Sequence, residues 1–184
     1  MNVIKTKIKD LLIIEPQVFG DERGFFVETY NEERYKGGGI GVNFVQDNLS
    51  KSSKGVLRGL HCQKEPYAQG KLVQVITGSV LDVAVDARPE SKTYGQWESV
   101  VLSEENKKQF WIPAGFLHGF ITLEDNTIFN YKCTKLYNPE SEFGVAWDDK
   151  DLNVDWQLEK YGIKNSELVI SERDQNNNAF KNLK

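Results

Sequence analysis

Short runs of branched, aromatic or alternating residues, each closed by turn residues, recur over 24–30, 42–48, 56–63, 71–77, 80–87, 97–102, 110–112, 118–123 and 127–134. A chain punctuated this way buries its apolar surface by stacking strands, so an all-β sandwich or small barrel is predicted. In Leu81-Asp82-Val83-Ala84-Val85-Asp86-Ala87 the odd positions are apolar and two of the three even positions are acidic, the alternation of a strand with one buried face. Gly78-Ser79 ahead of it reads as a tight hairpin turn. Helical signals are confined to short pieces at 31–36, 103–108 and 156–161, expected as peripheral connectors.

At 184 residues the chain is of single-domain size. With 39% hydrophobic and 27% charged residues it has the material for a core, but no apolar run approaches a membrane-spanning helix. Met1-Asn2-Val3-Ile4-Lys5-Thr6-Lys7 lacks the apolar stretch of a secretion signal, so a cytoplasmic location is expected. The formal charge of −4 gives no general attraction to nucleic acid or an anionic membrane, and neither is expected as a partner. Any anionic ligand has to be held by a local cluster. Cys62 and Cys133 form no C-x-x-C pair, provide neither a disulfide framework nor a thiolate zinc site, and are expected to stay reduced. One domain over 1–174 is predicted, followed at 175–184 by a loose polar tail that opens on Gln175-Asn176-Asn177-Asn178.

His61 and His118 are the only histidines, and each lies in an apolar, glycine-punctuated stretch: Arg58-Gly59-Leu60-His61 and Gly115-Phe116-Leu117-His118-Gly119. Taken singly, each reads more simply as a hydrogen-bonded core histidine than as a catalytic one. Their setting shifts that balance. Gly55-x5-His61 followed by Gln63, and Pro113-x-Gly115-x-x-His118, resemble the two motifs of cupin barrels, whose first motif supplies His-x-His and a glutamate as metal ligands. Gln63 stands where the second histidine belongs. An amide oxygen is a poor substitute for imidazole on zinc or iron, so no metal is expected.

Six blocks occur together: Phe19-x-Asp21-x-Arg23-Gly24-Phe25-Phe26-x-Glu28, Phe44-Val45-Gln46-Asp47-Asn48-x-Ser50, Gly55-Val56-Leu57-Arg58-Gly59-Leu60-His61, Gln69-Gly70-Lys71-Leu72-Val73, Tyr131-Lys132 and Ser171-x-x-Asp174. In order and spacing the chain resembles the dTDP-4-dehydrorhamnose 3,5-epimerase family from about Ile4 to Asp174. The resemblance implies a metal-free cupin jelly roll that needs no cofactor and dimerises. It also implies inversion of C3 and C5 on a dTDP-linked 4-keto-6-deoxyhexose in dTDP-L-rhamnose synthesis. By the same resemblance His61 is the base, Asp174 its orienting partner, Lys71 the enolate stabiliser and Tyr131 the proton donor on the opposite face. Tyr137 is implied to stack on thymine. Arg23, Phe26, Glu28, Gln46, Asn48, Arg58, His118, Glu142 and Arg173 are implied to bind nucleotide and sugar, Arg23 and Glu28 from the partner of a homodimer. Arg173 replaces the lysine often found there and keeps the charge.

These residue types suit the reaction. A C4 ketone acidifies the hydrogens at C3 and C5, so one base and one acid on opposite faces can invert both centres. Imidazole is mostly neutral at pH 7 and a phenol is protonated, which fits base and acid, while a lysine supplies charge where the enolate oxygen develops. Each residue also has a plain structural role open to it. Lys71 and Arg58 fit solvated edge charges, Tyr131 a core row with Phe129 and Cys133, Asp174 a helix cap, and Tyr137 a surface ring. Strict alternation puts Arg58 and His61 on opposite faces, so a bulge at Gly59 is expected. The competing functions are inversion of C3 or C5 alone, a noncatalytic sugar-nucleotide barrel, and a metal-dependent cupin that Gln63 disfavours.

Overall fold

The computed structural model describes residues 1–183. The strands are β1 (Asn2–Lys5), β2 (Leu12–Glu15), β3 (Val18–Asp21), β4 (Gly24–Val27), β5 (Gln46–Ser52), β6 (Val56–Gln63), β7 (Lys71–Thr77), β8 (Ser79–Asp86), β9 (Trp97–Ser103), β10 (Gln109–Ile112), β11 (Phe116–Thr122), β12 (Thr127–Cys133), β13 (Glu142–Gly144) and β14 (Val169–Ile170). Helix α1 (Glu32–Gly37) lies between β4 and β5, and α2 (Glu172–Gln175) follows β14. One sheet runs β1-β2-β10-β7-β12-β5; the other runs β13-β6-β11-β8-β9, with β14 beside β6. Val73, Val75, Phe110 and Phe129 of the first sheet meet Val80, Leu102, Phe116 and Phe120 of the second in one core, the packing of a jelly roll.

Neither sheet leaves its outer face bare. Leu12, Ile14, Leu72 and Trp111 of the first are covered by Tyr35 of α1 and by Ile40. On the second, Leu57, Leu81, Val83, Val85 and Ile121 lie under Val145, Leu152, Trp156, Ile163 and Phe180 from the C-terminal third. The half-exposed reading of β8 is therefore corrected, since all eight of its residues are buried. Its acidic face looks toward other protein groups instead of water. Asp86 accepts from Arg88, Ser91 and Thr93, and these bonds outweigh its burial and hold its carboxyl at about 2.

The loose tail is corrected too. Phe180 is buried and packs on Tyr94 with ring centroids 4.9 Å apart, and its N–H donates to Asp149 Oδ2 at 2.9 Å. Asn178 accepts from the Ala146 N–H and donates its own N–H to the Gly144 carbonyl. Lys184, the last residue of the expected tail, lies outside the described residues. Of the three expected helices, the first is α1, capped by Asn31, whose side chain accepts from the Arg34 N–H. The segment 103–108 is a turn closed by reciprocal bonds between Ser103 and Asn106. Within 156–161, Gln157 has φ +52°, and only a 3₁₀ turn, Glu159–Tyr161, forms.

The strand expected at 42–48 forms later in the chain, as β5. Its alternation is inverted: Gln46, Asn48, Ser50 and Ser52 are the more buried residues, while Asp47, Leu49 and Lys51 are exposed. β3 and β4 pair only with each other and form an arm. Phe19, Phe25 and Phe26 on it are 57%, 61% and 68% exposed, with Phe19 and Phe26 paired across the two strands.

Candidate active site

The polar inner face of β5 marks one end of the sandwich, where the sheets enclose a cleft of about 530 Å³. β6 and β11 of the second sheet bring Arg58, His61 and His118 to it, and β7 and β12 of the first bring Lys71 and Tyr131. The expected bulge is present. His118 pairs with His61 but Phe120 pairs with Arg58, so β6 has one residue more than β11 over this stretch. Gly59 supplies the extra residue at φ +115°, and a Cβ there would come within 2.6 Å of Gly119 Cα. The extra residue lets Arg58 and His61 line the same cleft.

Asp174 arrives from α2, whose start is capped by Ser171 Oγ accepting the Asp174 N–H. Its Oδ1 lies 2.6 Å from His61 Nε2, and its Oδ2 accepts the Gly59 N–H at 3.2 Å. One buried carboxylate thus fixes both the imidazole and the bulge behind it. Burial pushes this carboxyl up, but the His61 hydrogen bond and charge, the Gly59 N–H and the Arg173 charge outweigh burial and hold it below the ordinary carboxylate range. A carboxylate acceptor puts the proton on Nε2 and leaves the lone pair on His61 Nδ1. Facing it from the other sheet, the Tyr131 phenol is pushed up by burial and keeps its proton. Lys71 makes no hydrogen bond or ion pair through its ammonium among the described residues.

His118 belongs to a second pair. Its Nε2 lies 2.9 and 3.0 Å from the two carboxylate oxygens of Asp82 on β8. Burial pushes the Asp82 carboxyl up and the His118 imidazole down. The alternation in β8 had assigned Asp82 to a solvated face. The signal that could have found it is an acid flanked on both sides by apolar residues, in Val80-Leu81-Asp82-Val83-Ala84-Val85.

A smaller hollow of about 300 Å³ continues from the cleft past Tyr131 to Gln46, Asn48 and Tyr137. Tyr137 donates its hydroxyl to Glu142 Oε2 at 2.9 Å, and Glu142 also pairs with Arg173 beside Asp174. Gln46 accepts the Tyr137 N–H at 2.8 Å and donates to Asn48 Oδ1 at 3.0 Å. Arg58 donates to Ser52 Oγ at 3.2 Å. Arginine and lysine at the wider cleft suit phosphate, and the amides and phenol of the hollow suit a flat polar ring.

Arg23, Phe26 and Glu28 are not among the groups brought to the cleft within this chain. They sit on or beside the arm, where Arg23 pairs with Asp21 and Glu28 with Arg34. The donors do not fit a metal centre. Each histidine has its own carboxylate, the polar atoms of Gln63 are bonded to backbone, and no group of three His, Cys, Asp or Glu suited to a metal occurs among the described residues. Cys62 and Cys133 are free thiols, and burial pushes Cys62 up to about 11, so it is no nucleophile at neutral pH.

Comparison with known proteins gives a consistent result. The model of a family described as dTDP-4-dehydrorhamnose 3,5-epimerase matches residues 5–182. A protein of that description from Methanothermobacter thermautotrophicus is 54% identical over 173 residues, covering 94% of this chain and 91% of the relative. A crystal structure of the Elizabethkingia anophelis enzyme of the same description superposes with a TM-score of 0.91 at 51% identity, covering 99% of this chain and 97% of the other. A dTDP-6-deoxy-D-glucose-3,5-epimerase from Legionella pneumophila, solved in complex with dTDP-4-keto-L-rhamnose, gives 0.91 at 50% identity, covering 98% and 93%.

Proposed function

The chain belongs to the dTDP-4-dehydrorhamnose 3,5-epimerase family, and we infer that it is an isomerase that inverts C3 and C5 of dTDP-4-dehydro-6-deoxy-D-glucose to give dTDP-4-dehydro-L-rhamnose. The observation that carries this reading is the placement of a carboxylate-paired imidazole and a protonated phenol on opposing sheets of one cleft, with a lysine beside them. In this reading His61 Nδ1 takes the proton from C3 or C5, and Asp174 stabilises the imidazolium that results. The electron pair moves into an enolate whose C4 oxygen is stabilised by Lys71. Tyr131 then delivers a proton from the other side, which inverts the centre; once His61 has released its proton to solvent and Tyr131 has taken one up, the same groups act on the second carbon after the sugar shifts. Arg58, His118 and Arg173 bind the sugar and pyrophosphate, and Gln46, Asn48, Tyr137 and Glu142 bind the thymidine.

The exposed arm supports assembly as a homodimer in which Arg23, Phe26 and Glu28 of each subunit complete the partner's site. No helix among the described residues is long and apolar enough to cross a membrane, and the protein is proposed to work in the cytoplasm on this soluble nucleotide sugar.

The test is turnover of dTDP-4-keto-6-deoxyglucose in D2O with positional analysis of the label. Deuterium at both C3 and C5 is expected. Label confined to one carbon after long incubation identifies a single-centre epimerase instead, and no exchange at all identifies a binding protein.

A further inference from the structure

Gln63 has no part in the chemistry above, yet it is 7% exposed and every polar atom of its side chain is used. It closes β6, two residues after His61. Its Nε2 donates to the Tyr67 carbonyl at 2.7 Å and to the Leu136 carbonyl at 3.3 Å. Its Oε1 accepts the Asn138 N–H at 2.8 Å. The last two bonds bracket Tyr137. The peptide unit before Tyr137 is held at its oxygen by Gln63 and at its N–H by Gln46, and the unit after it is held at its N–H by Gln63. With both flanking peptide planes fixed, φ and ψ of Tyr137 are fixed, and so is the direction of its Cα–Cβ bond. Tyr137 is 49% exposed, so packing does little to orient its ring. Asn138 goes on to cap the 3₁₀ turn Pro139–Ser141 that leads directly into Glu142, so the same clamp sets the start of the segment carrying the carboxylate that holds the Tyr137 hydroxyl.

We propose that Gln63 is a positioning residue for the nucleotide half of the substrate: it presets Tyr137 and Glu142 for a planar pyrimidine ring. The proposal rests on the reading of Tyr137 as a ligand of the base. The position that would carry a second metal-binding histidine in a cupin has here been turned to shaping the nucleoside subsite. An amide fits this task because it donates twice and accepts once without carrying charge, which imidazole cannot do.

The test is a double-mutant cycle between Gln63→Met, which keeps the shape and removes every polar atom, and Tyr137→Ala. It is read as KM and kcat for the dTDP-linked 4-keto sugar, Kd for dTDP, and the thermal midpoint. Gln63→Met is expected to raise KM and the Kd of dTDP by roughly tenfold while kcat stays within about twofold, as for loss of binding shared by ground and transition states. In the Tyr137→Ala background the same change is expected to add almost nothing. If Tyr137→Ala raises KM while Gln63→Met leaves it unchanged, lowers only kcat or the thermal midpoint, or adds its full effect in the double variant, the positioning role is overturned. If Tyr137→Ala itself leaves KM and Kd unchanged, the reading of Tyr137 as a ligand is overturned and the positioning role falls with it. Should Gln63→Met not fold, Gln63→Asn keeps the amide but draws it back by one methylene, and the same cycle decides the outcome.

Discussion

At the scale of single residues the decisive contact is the one between His61 and Asp174, 113 positions apart. Its second oxygen makes the carboxylate hard to replace. Asparagine has one acceptor, whereas Asp174 takes both the His61 Nε2–H and the Gly59 N–H. If the amide keeps its oxygen on Gly59, its NH2 faces Nε2, the imidazole switches tautomer, and Nδ1 carries the proton it is meant to receive. Asp174→Asn is therefore expected to lower kcat by on the order of 10² to 10⁴ with KM within a few-fold of the parent value, as steady-state kinetics will report. Because the Asp174 carboxyl is held below its ordinary value, it is ionised wherever a histidine titrates, and the loss should persist from about pH 5 to pH 9. A variant within a few-fold of wild type reduces Asp174 to a structural role.

Among the elements, β6 carries the most site geometry in the fewest residues: its bulge aligns Arg58 with His61, and its last residue clamps the Tyr137 loop. The bulge depends on the absence of two side chains. Gly59 crosses Gly119 so closely that a Cβ on Gly59 would meet His118 O at 2.7 Å, and one on Gly119 would meet Arg58 O at 2.7 Å. Gly59→Ala combines a left-handed backbone with a clash against main chain that has no flexible end to yield. It is expected to cost about 2 to 5 kcal/mol in urea unfolding at unchanged m-value and to lower kcat in the fraction that folds. Full stability with full activity contradicts this account of the bulge.

For the whole molecule, the unanswered demand is the arm, which exposes three phenylalanines and carries Arg23 and Phe26 away from its own cleft. If each arm completes the partner's cleft, two impaired proteins can repair each other. In a mixed dimer of His61→Asn and Arg23→Ala subunits, one cleft combines an intact His61 with an intact Arg23 from the neighbour. With free exchange, half of the dimers are mixed and half of their clefts intact, so mixing equal amounts should restore about a quarter of wild-type activity. Arg23 acting within its own subunit predicts no recovery, because neither kind of subunit then holds a whole site.

Turn residues spaced too closely for long helices already mark this chain as one that stacks strands, and the limits of β6 and β7 follow from that spacing, whereas β1, β2, β3, β13 and β14 carry no such mark. The sequence also pointed to the bulge: under strict alternation two residues three apart fall on opposite faces, so Arg58 and His61 could act together only through a break at Gly59 or the reach of the arginine, and the structure has the break. The blocks around His61, Lys71 and Tyr131 were legible because their chemistry is local to short strands. Tertiary structure decided what each strand face looks at. Alternation separates two faces but does not say whether the polar one meets water or a cleft, so Asp82 reads as lying on the unburied face of its strand, and β5 begins four residues later than its pattern suggests. It also decided where the last residues go, since Phe180 is one aromatic in a polar run until the second sheet offers it a surface. The joining of Asp174 to His61 and of Gln63 to the backbone around Tyr137 came the same way. These are hydrogen bonds between segments distant in the chain, and no local propensity or periodicity encodes such a partner.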